Sequence, residues 1–255
     1  MCLILVAWRV HADYPLVVAA NRDEFFARPT APAAFWKDAP QLLAGRDLEA
    51  GGTWMGVTCK GRFAALTNFR DPAQNRSGAP SRGGLVADFL TGDETPQTYL
   101  ERIATHGSQC NGYNLLVSEG ETLWWSSNMG GESRPLQAGV YGVSNHLLDT
   151  PWPKVGAGKT ALAQALDRLP DDQALFALLQ DDGIHPDEDL PQTGVPLDWE
   201  RLLSSAFVKS PEYGTRGSTV LSIERDGWTS FDEQTWLPGA QPGERLRYRF
   251  RASER

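Results

Sequence analysis

Residues 2–24 read CLILVAWRVHADYPLVVAANRDE, two apolar runs separated by a short polar turn. Residues 3–10 and 15–21 are apolar almost throughout, and residues 11–14 lie between them. Such a pattern predicts a hairpin whose two strands are buried on both faces. Burial on both faces is typical of strands in the middle layers of a sandwich.

The predicted hairpin places particular residues opposite one another. In an antiparallel pair the numbers of facing residues have a constant sum, and a turn centred near Ala12 makes that sum about 24. Cys2 is then expected to face Arg22, with Asn21 and Asp23 beside it. Facing Cα atoms lie about 4.5–5.5 Å apart, so a thiol, a guanidinium and a carboxylate are predicted to meet.

Cys2 follows a methionine, a residue commonly removed when a small side chain comes next. The α-amino group of Cys2 would then be free, titrate near ~7.7–8.0 and accept the proton of its own thiol. Arg22 is expected to lower the pKa of the thiol, and Asp23 to hold the α-ammonium or the arginine. In the alternative interpretation Cys2 is a small core residue and Arg22 and Asp23 form a structural ion pair.

The rest of the chain alternates blocks of strands with pairs of helices. Strands are predicted at 53–59, 62–68, 113–118, 122–127, 139–145, 217–224, 228–236 and 245–250. Helices are predicted from Ser81, from Pro96 (with Thr95 as N-cap and Gly107 as stop), and at 157–168, 172–181 and 197–205. This order favours an α+β layered sandwich, and residues 1–255 are interpreted as one domain.

Composition excludes several classes of function. With 24 basic and 32 acidic residues the net charge is −8, and the absence of a basic cluster argues against nucleic acid as a partner. No apolar run reaches the length of a membrane span. The three cysteines, Cys2, Cys59 and Cys110, lack C-x-x-C spacing, which argues against disulfides and zinc and predicts a cytoplasmic protein. The histidines show no metal-ligand spacing.

The run Asn21-Arg22-Asp23-Glu24 after a Met-Cys start resembles the NRDE family, which includes the transport and Golgi organization protein 2 of animals. The similar stretches span most of the chain. They are 19-AANRDEF-25, 51-GGTWMGV-57, 64-AALTNFRDP-72, 111-NGYNLL-116, 142-GVSNHLLDTPWPKV-155 and 213-YGTRGSTVL-221.

A more remote resemblance connects the chain to choloylglycine hydrolases and penicillin V acylases. The positions similar to their site residues are Cys2, Arg22, Asp23, Asn68, Asn145 and Arg216. This resemblance implies an N-terminal-nucleophile (Ntn) hydrolase fold, a four-layer αββα sandwich with two packed, mostly antiparallel sheets. Arg22 and Asp23 are adjacent here, whereas the hydrolases space them further apart, and adjacent residues of a strand point to opposite faces.

The resemblance implies a cysteine hydrolase or acyltransferase that acts on an amide or acyl bond through Cys2. Asn145, with Asn68, would hold the oxyanion, and Arg216 would hold a substrate carboxylate or steady the thiolate. Asn21 and Asn68 are predicted to bind substrate. The alternatives are turn formation for Asn68 and Asn145 and a surface ion pair for Arg216.

A second hypothesis, from a different class, is a carrier on the same scaffold. The animal relative is associated with haem mobilisation and lipid metabolism, so the resemblance extends haem or acyl-lipid binding and trafficking to this chain. A cleft shaped for an acylated substrate would accept haem or an acyl chain, although the sequence contains no short haem motif. The expected partner is therefore a small-molecule amide, an acyl compound or haem, and the sequence leaves the oligomeric state undetermined.

Overall fold

A computed structural model describes residues 2–105 and 109–251. Six of its strands form an antiparallel sheet whose centre is the amino-terminal hairpin. In spatial order these strands are β10 (Gly139–Val143), β1 (Cys2–Trp8), β2 (Leu16–Phe25), β11 (Tyr213–Ile223), β12 (Trp228–Leu237) and β13 (Gln241–Arg251). The predicted basic strand near the carboxyl end is confirmed as β13, at the edge of the sheet.

A second antiparallel sheet has seven strands in sequence order. They are β3 (Thr30–Phe35), β4 (Leu42–Asp47), β5 (Met55–Thr58), β6 (Phe63–Asn68), β7 (Tyr113–Glu119), β8 (Thr122–Ser127) and β9 (Arg134–Pro135). Every neighbour in this sheet is also the next strand in sequence, and the described part of the connection from β6 to β7 (residues 69–112) contains two α-helices.

Helices cover the outer face of each sheet. Helices α1 (Gly83–Thr91) and α2 (Pro96–Ala104) pack on the seven-stranded sheet, and α3 (Pro153–Ala165) and α4 (Gln173–Leu179) pack on the six-stranded one. Helix α5 (Leu197–Leu202) follows later in the chain. Short 3-10 turns occupy Pro72–Gln74, Leu166–Arg168, Asp187–Asp189 and Pro238–Ala240. The layers confirm the predicted αββα sandwich.

Strand β1 shows why the amino-terminal run is continuously apolar. Its even-numbered residues, such as Ile4 and Val6, pack in the core between the two sheets. Its odd-numbered residues, such as Leu3 and Leu5, pack against helix residues including Leu162 of α3. Side chains alternate along a strand, so a strand between two apolar layers needs apolar residues at every position.

Some elements differ from the sequence predictions. Strands β3 and β4 were not predicted from the sequence. The β3 segment does not have the pattern of a strand because it contains Pro32. Proline is tolerated there because β3 is an edge strand with a register shift between Ala31 and Ala34. Helix α3 begins at Pro153, four residues before the predicted start at 157. The predicted stop at Gly107 lies outside the described residues.

The described helices were compared with the requirements for crossing a membrane, and none meets them. None of the helices between residues 2 and 105 or between 109 and 251 combines the length and apolarity that a membrane crossing requires.

Candidate active site

The amino-terminal hairpin has the register that the sequence predicts. Cys2 faces Arg22, and every paired residue from Cys2 to Trp8 keeps the index sum of the predicted hairpin. On its other side Arg22 faces Gly217 of β11. The register of β11 shifts between Thr215 and Gly217, so Arg216 occupies a bulge beside this row.

Cys2 opens onto a cavity of about 570 Å³ where the ends of the two sheets meet. Its volume falls within the range usual for small-molecule sites, roughly 300–1,000 Å³. Of the residues predicted from sequence, five line it: Cys2, Arg22, Asp23, Asn68 and Arg216. Asn21 and Asn145 do not belong to the lining. Residues that the sequence reasoning missed include Glu24, Arg82, Glu233 and Trp236.

The six-stranded sheet has two faces at this point. We call the face turned to the seven-stranded sheet the cavity face, and the one covered by α3 and α4 the helix face. Val18 and Ala20 of β2 pack between the sheets, so Arg22, which has the same parity, lies on the cavity face. Val17 and Ala19 pack toward the helices, so Asn21 and Asp23 lie on the helix face.

The Cys2 thiol is buried, with 7% of its surface exposed. Burial raises the pKa of this thiol above its ordinary value, and the Asp23 carboxylate acts in the same direction. Arg22 and the backbone N–H of Asp23, which donates to the sulfur, lower it without reversing the shift. Arg22 therefore lowers the pKa of the thiol as predicted, but the net pKa is raised, because desolvation of the thiolate outweighs one nearby guanidinium.

Arg22 brings an incompletely bonded guanidinium next to Cys2. Its side chain is 11% exposed, and Nη2 lies 3.8 Å from Oε2 of Glu24, which is an ion-pair distance and too long for a hydrogen bond. Nη1 is buried and has no hydrogen-bond partner among the residues that the structure describes. A buried donor of this kind can serve a carbonyl oxygen or an oxyanion in the cavity.

Asn21 is bonded into the helix face. Its Nδ2 donates to the carbonyl oxygens of Leu179 at 2.7 Å and Ala206 at 2.8 Å. Its Oδ1 accepts from the Ser218 hydroxyl at 2.6 Å. The side chain is completely buried and connects β2 to the end of α4 and to the loop before β11. These contacts place Asn21 away from the cavity that holds Cys2.

Asp23 lies in a buried polar network that includes Lys154, which the sequence reasoning missed. Asp23 Oδ1 accepts from the Thr215 hydroxyl at 2.7 Å. Burial raises the pKa of Asp23, and the charge of Lys154 opposes that shift. Lys154 Nζ donates to the carbonyl of Leu203 at 2.8 Å, and burial lowers the pKa of Lys154 to about 8. The sequence signal that could have identified Lys154 is its position inside the stretch 142–155, which resembles the NRDE family.

Asn68 and Asn145 are brought together, but in different environments. Asn145 is completely buried, and its Nδ2 donates to the backbone carbonyl of Asn68 at 2.9 Å. Ser144, beside it, donates to the carbonyl oxygen of Cys2 at 2.9 Å. The Asn68 side-chain amide makes no hydrogen bond within residues 2–105 and 109–251 and reaches the cavity. Of the two asparagines, Asn68 thus lines the cavity and Asn145 does not.

Arg216 uses its guanidinium to hold the chain at the cavity rim. Nη1 donates to the carbonyl of Phe25 at 3.2 Å and to that of Arg28. Phe25 is the last residue of β2, and Arg28 lies in the segment that leads from β2 into β3. Arg216 therefore positions this connection while its charge remains at the cavity wall.

The sequence is similar to those of known proteins along most of its length. The profile of the family Transport and Golgi organisation 2 matches residues 1–238. The Transport and Golgi organization protein 2 homolog of Bos taurus is 39% identical over 250 residues, which cover 90% of this chain and 89% of that protein. The Homo sapiens homolog is 36% identical over 243 residues, covering 88% and 87%.

A solved structure with a similar fold is the Caenorhabditis elegans N-acylethanolamine-hydrolyzing acid amidase ortholog. The TM-score is 0.50 at 13% sequence identity, and the match covers 86% of this chain and 92% of that one. At this identity the likeness concerns the fold, which is that of the Ntn hydrolases.

Proposed function

The chain belongs to the Transport and Golgi organisation 2 family, and from its Ntn-hydrolase fold we propose that it is a cysteine hydrolase or acyltransferase. Cys2 is the proposed nucleophile, and an amide or acyl bond is the proposed target. The observation that carries the proposal is the direct pairing of Cys2 with Arg22 at the wall of a ligand-sized cavity. Arg22 lines this cavity, and its buried Nη1 has no hydrogen-bond partner among the residues that the structure describes.

The proposed reaction begins after removal of Met1. The α-amine of Cys2 takes the thiol proton as sulfur attacks the carbonyl carbon, and Arg22 and Asn68 donate to the oxyanion. The C–N or C–O bond breaks when the ammonium returns the proton to the leaving group. Water or another acceptor then cleaves the thioester, with the amine as general base. The α-amine of Cys2 is needed as a base in this reaction, since burial keeps the thiol protonated near neutral pH.

Intact-mass measurement combined with Cys2→Ser tests this function. We expect a mass lacking one methionine, and a loss of amide or acyl-ester turnover on the order of 10³-fold or more in Cys2→Ser. Cys110→Ser is the matched control, because Cys110 is partly buried and does not itself line the cavity, so its substitution should leave turnover unchanged. Retention of Met1, or turnover insensitive to Cys2, contradicts the proposal.

A carrier of haem or an acyl lipid is the second candidate. The observation that favours it is the buried Cys2 thiol, whose raised pKa leaves little thiolate near neutral pH. The cavity volume would serve a bound ligand with or without chemistry at Cys2. Unchanged affinity for haem or for an acyl lipid in Cys2→Ala, together with retained Met1, would support the carrier over the hydrolase.

A further inference from the structure

Glu233 is a buried carboxyl group that the reaction above does not use. It lies on β12, is 6% exposed, and lines the cavity that holds Cys2. Phe231, two residues earlier on the strand, packs in the core between the sheets. The side chain of Glu233 therefore projects from the cavity face of the six-stranded sheet, as those of Cys2 and Arg22 do.

The two carboxyl oxygens of Glu233 have different surroundings. Oε1 accepts a hydrogen bond from the backbone N–H of Ala33 on β3 at 2.7 Å, which joins the two sheets. Oε2 has no hydrogen-bond donor in the part of the chain that the structure describes. A Cβ atom at Gly45 or at Gly217 would lie 3.9 Å from Oε2, so a larger side chain at either position would cover it. Glycines on both sheets thus leave Oε2 accessible from the cavity.

The sheet order fixes where Glu233 lies relative to the proposed nucleophile. Strand β11 separates β12 from β2, and β2 separates β11 from β1. Glu233 faces Thr219, which faces Ala20, so it lies two residues along the sheet from the row of Cys2 and Arg22. With about 4.8 Å between strands and about 6.8 Å for two residues along a strand, its Cα atom is about 12 Å from that of Arg22 and about 16 Å from that of Cys2. A ligand whose carbonyl is at Cys2 would reach Glu233 with its distal end.

We propose that Glu233 is a specificity-determining residue that binds a protonated amine at the distal end of the substrate through Oε2. A buried carboxylate is stable when a cation or several donors compensate its charge. Burial raises the pKa of Glu233, and the Ala33 N–H on Oε1 and the charge of Arg22, which lies beyond ion-pair distance, oppose this shift without reversing it. The ligand supplies a cation in direct contact with Oε2. The proposed substrate class is an acyl compound with a primary amine remote from the reacting carbonyl. This inference rests on the proposed function, which places that carbonyl at Cys2.

Binding of two matched probes to the Cys2→Ala protein tests the inference without turnover. One probe is the mono-octanoyl amide of decanediamine, whose linker is long enough to cross three strand spacings. The other is the undecylamide of octanoic acid, of nearly equal shape but without the amine. Calorimetry at neutral pH should show roughly 10-fold tighter binding of the amine probe. Equal affinities overturn the inference, and so does failure of the amine probe to bind.

Two further variants in the Cys2→Ala background locate the effect at Oε2. Glu233→Gln keeps an oxygen for Ala33 and turns an amide N–H₂ to the cavity, so the preference for the amine should disappear. Gly217→Ala adds a methyl group 3.9 Å from Oε2 and should reduce the preference for the amine probe. Glu244→Gln, also on the cavity lining but exposed, is the control. A preference that survives Glu233→Gln overturns the inference, whereas turnover insensitive to Cys2 overturns only the hydrolase.

Discussion

The two faces of β2 near its carboxyl end hold different kinds of polar chemistry. On the cavity face, Arg22 lies beside Cys2 with one Nη1 donor unbonded, at the wall of an open cavity. On the helix face, Asn21 uses its amide in three hydrogen bonds, and Asp23 is bonded to Thr215 near the charge of Lys154.

The difference shows that a contiguous motif need not act as one group. Residues 21–24 alternate between the two faces, because successive side chains of a strand point in opposite directions. Asn21 anchors the strand to the end of α4, Asp23 is bonded to Thr215 and also borders the cavity, and Arg22 and Glu24 face the cavity. We therefore expect changes on the helix face to affect stability, and changes on the cavity face to affect the reactivity of Cys2.

The largest effect is expected from Lys154→Met on the pH dependence of stability. The folded pKa of Lys154 is about 8 against an ordinary 10.5, so the unfolded chain binds more protons between these values. Stability of the wild type should therefore rise with pH across this window, relative to Lys154→Met, by up to roughly 3 kcal/mol. Urea unfolding at several pH values measures the difference. Lys159→Met, on the same helix, is the control, and parallel curves for Lys154→Met and wild type would contradict the expectation.

A smaller effect on stability is expected from Asn21→Ala. The substitution removes the donor for the Leu179 and Ala206 carbonyls inside the helix face. Unsatisfied buried groups of this kind cost about 2 kcal/mol in the free energy of unfolding. Arg22→Met, one residue away, should cost less than about 1 kcal/mol, because that guanidinium makes fewer bonds. Equal losses in the free energy of unfolding for the two variants would contradict the view that the helix face contributes more to stability than the cavity face.

The smallest expected effect is that of Arg22→Met on Cys2 alkylation. Removing the guanidinium while keeping its bulk takes away a charge that stabilises the thiolate. The labelling rate of Cys2 by iodoacetamide at pH 8 should fall roughly 10-fold, and its rise with pH should move to higher pH. Peptide mass spectrometry measures this, with Cys110 as the internal reference. An unchanged Cys2 rate would show that Arg22 does not act on the thiol.

Local pattern was enough to predict much of the fold and the central pair of the site. The apolar runs around a turn near Ala12 predicted the pairing of Cys2 with Arg22, and Thr95 caps α2 as expected. The pattern did not predict β3, because Pro32 argues against a strand. An edge strand such as β3 nevertheless tolerates proline. The pattern also did not predict the raised pKa of the thiol, because burial depends on every layer packed around Cys2.

What the sequence by itself determined is the layered architecture, the register of the first hairpin and the family. These follow from periodicity and turns, which act between residues near each other in the chain. Only the tertiary structure decided which asparagine reaches the cavity, that Lys154 lies near Asp23, and that Glu233 joins Ala33 across the two sheets. Ala33 and Glu233 are 200 positions apart, and no local pattern records a contact that forms when two separately built sheets pack together.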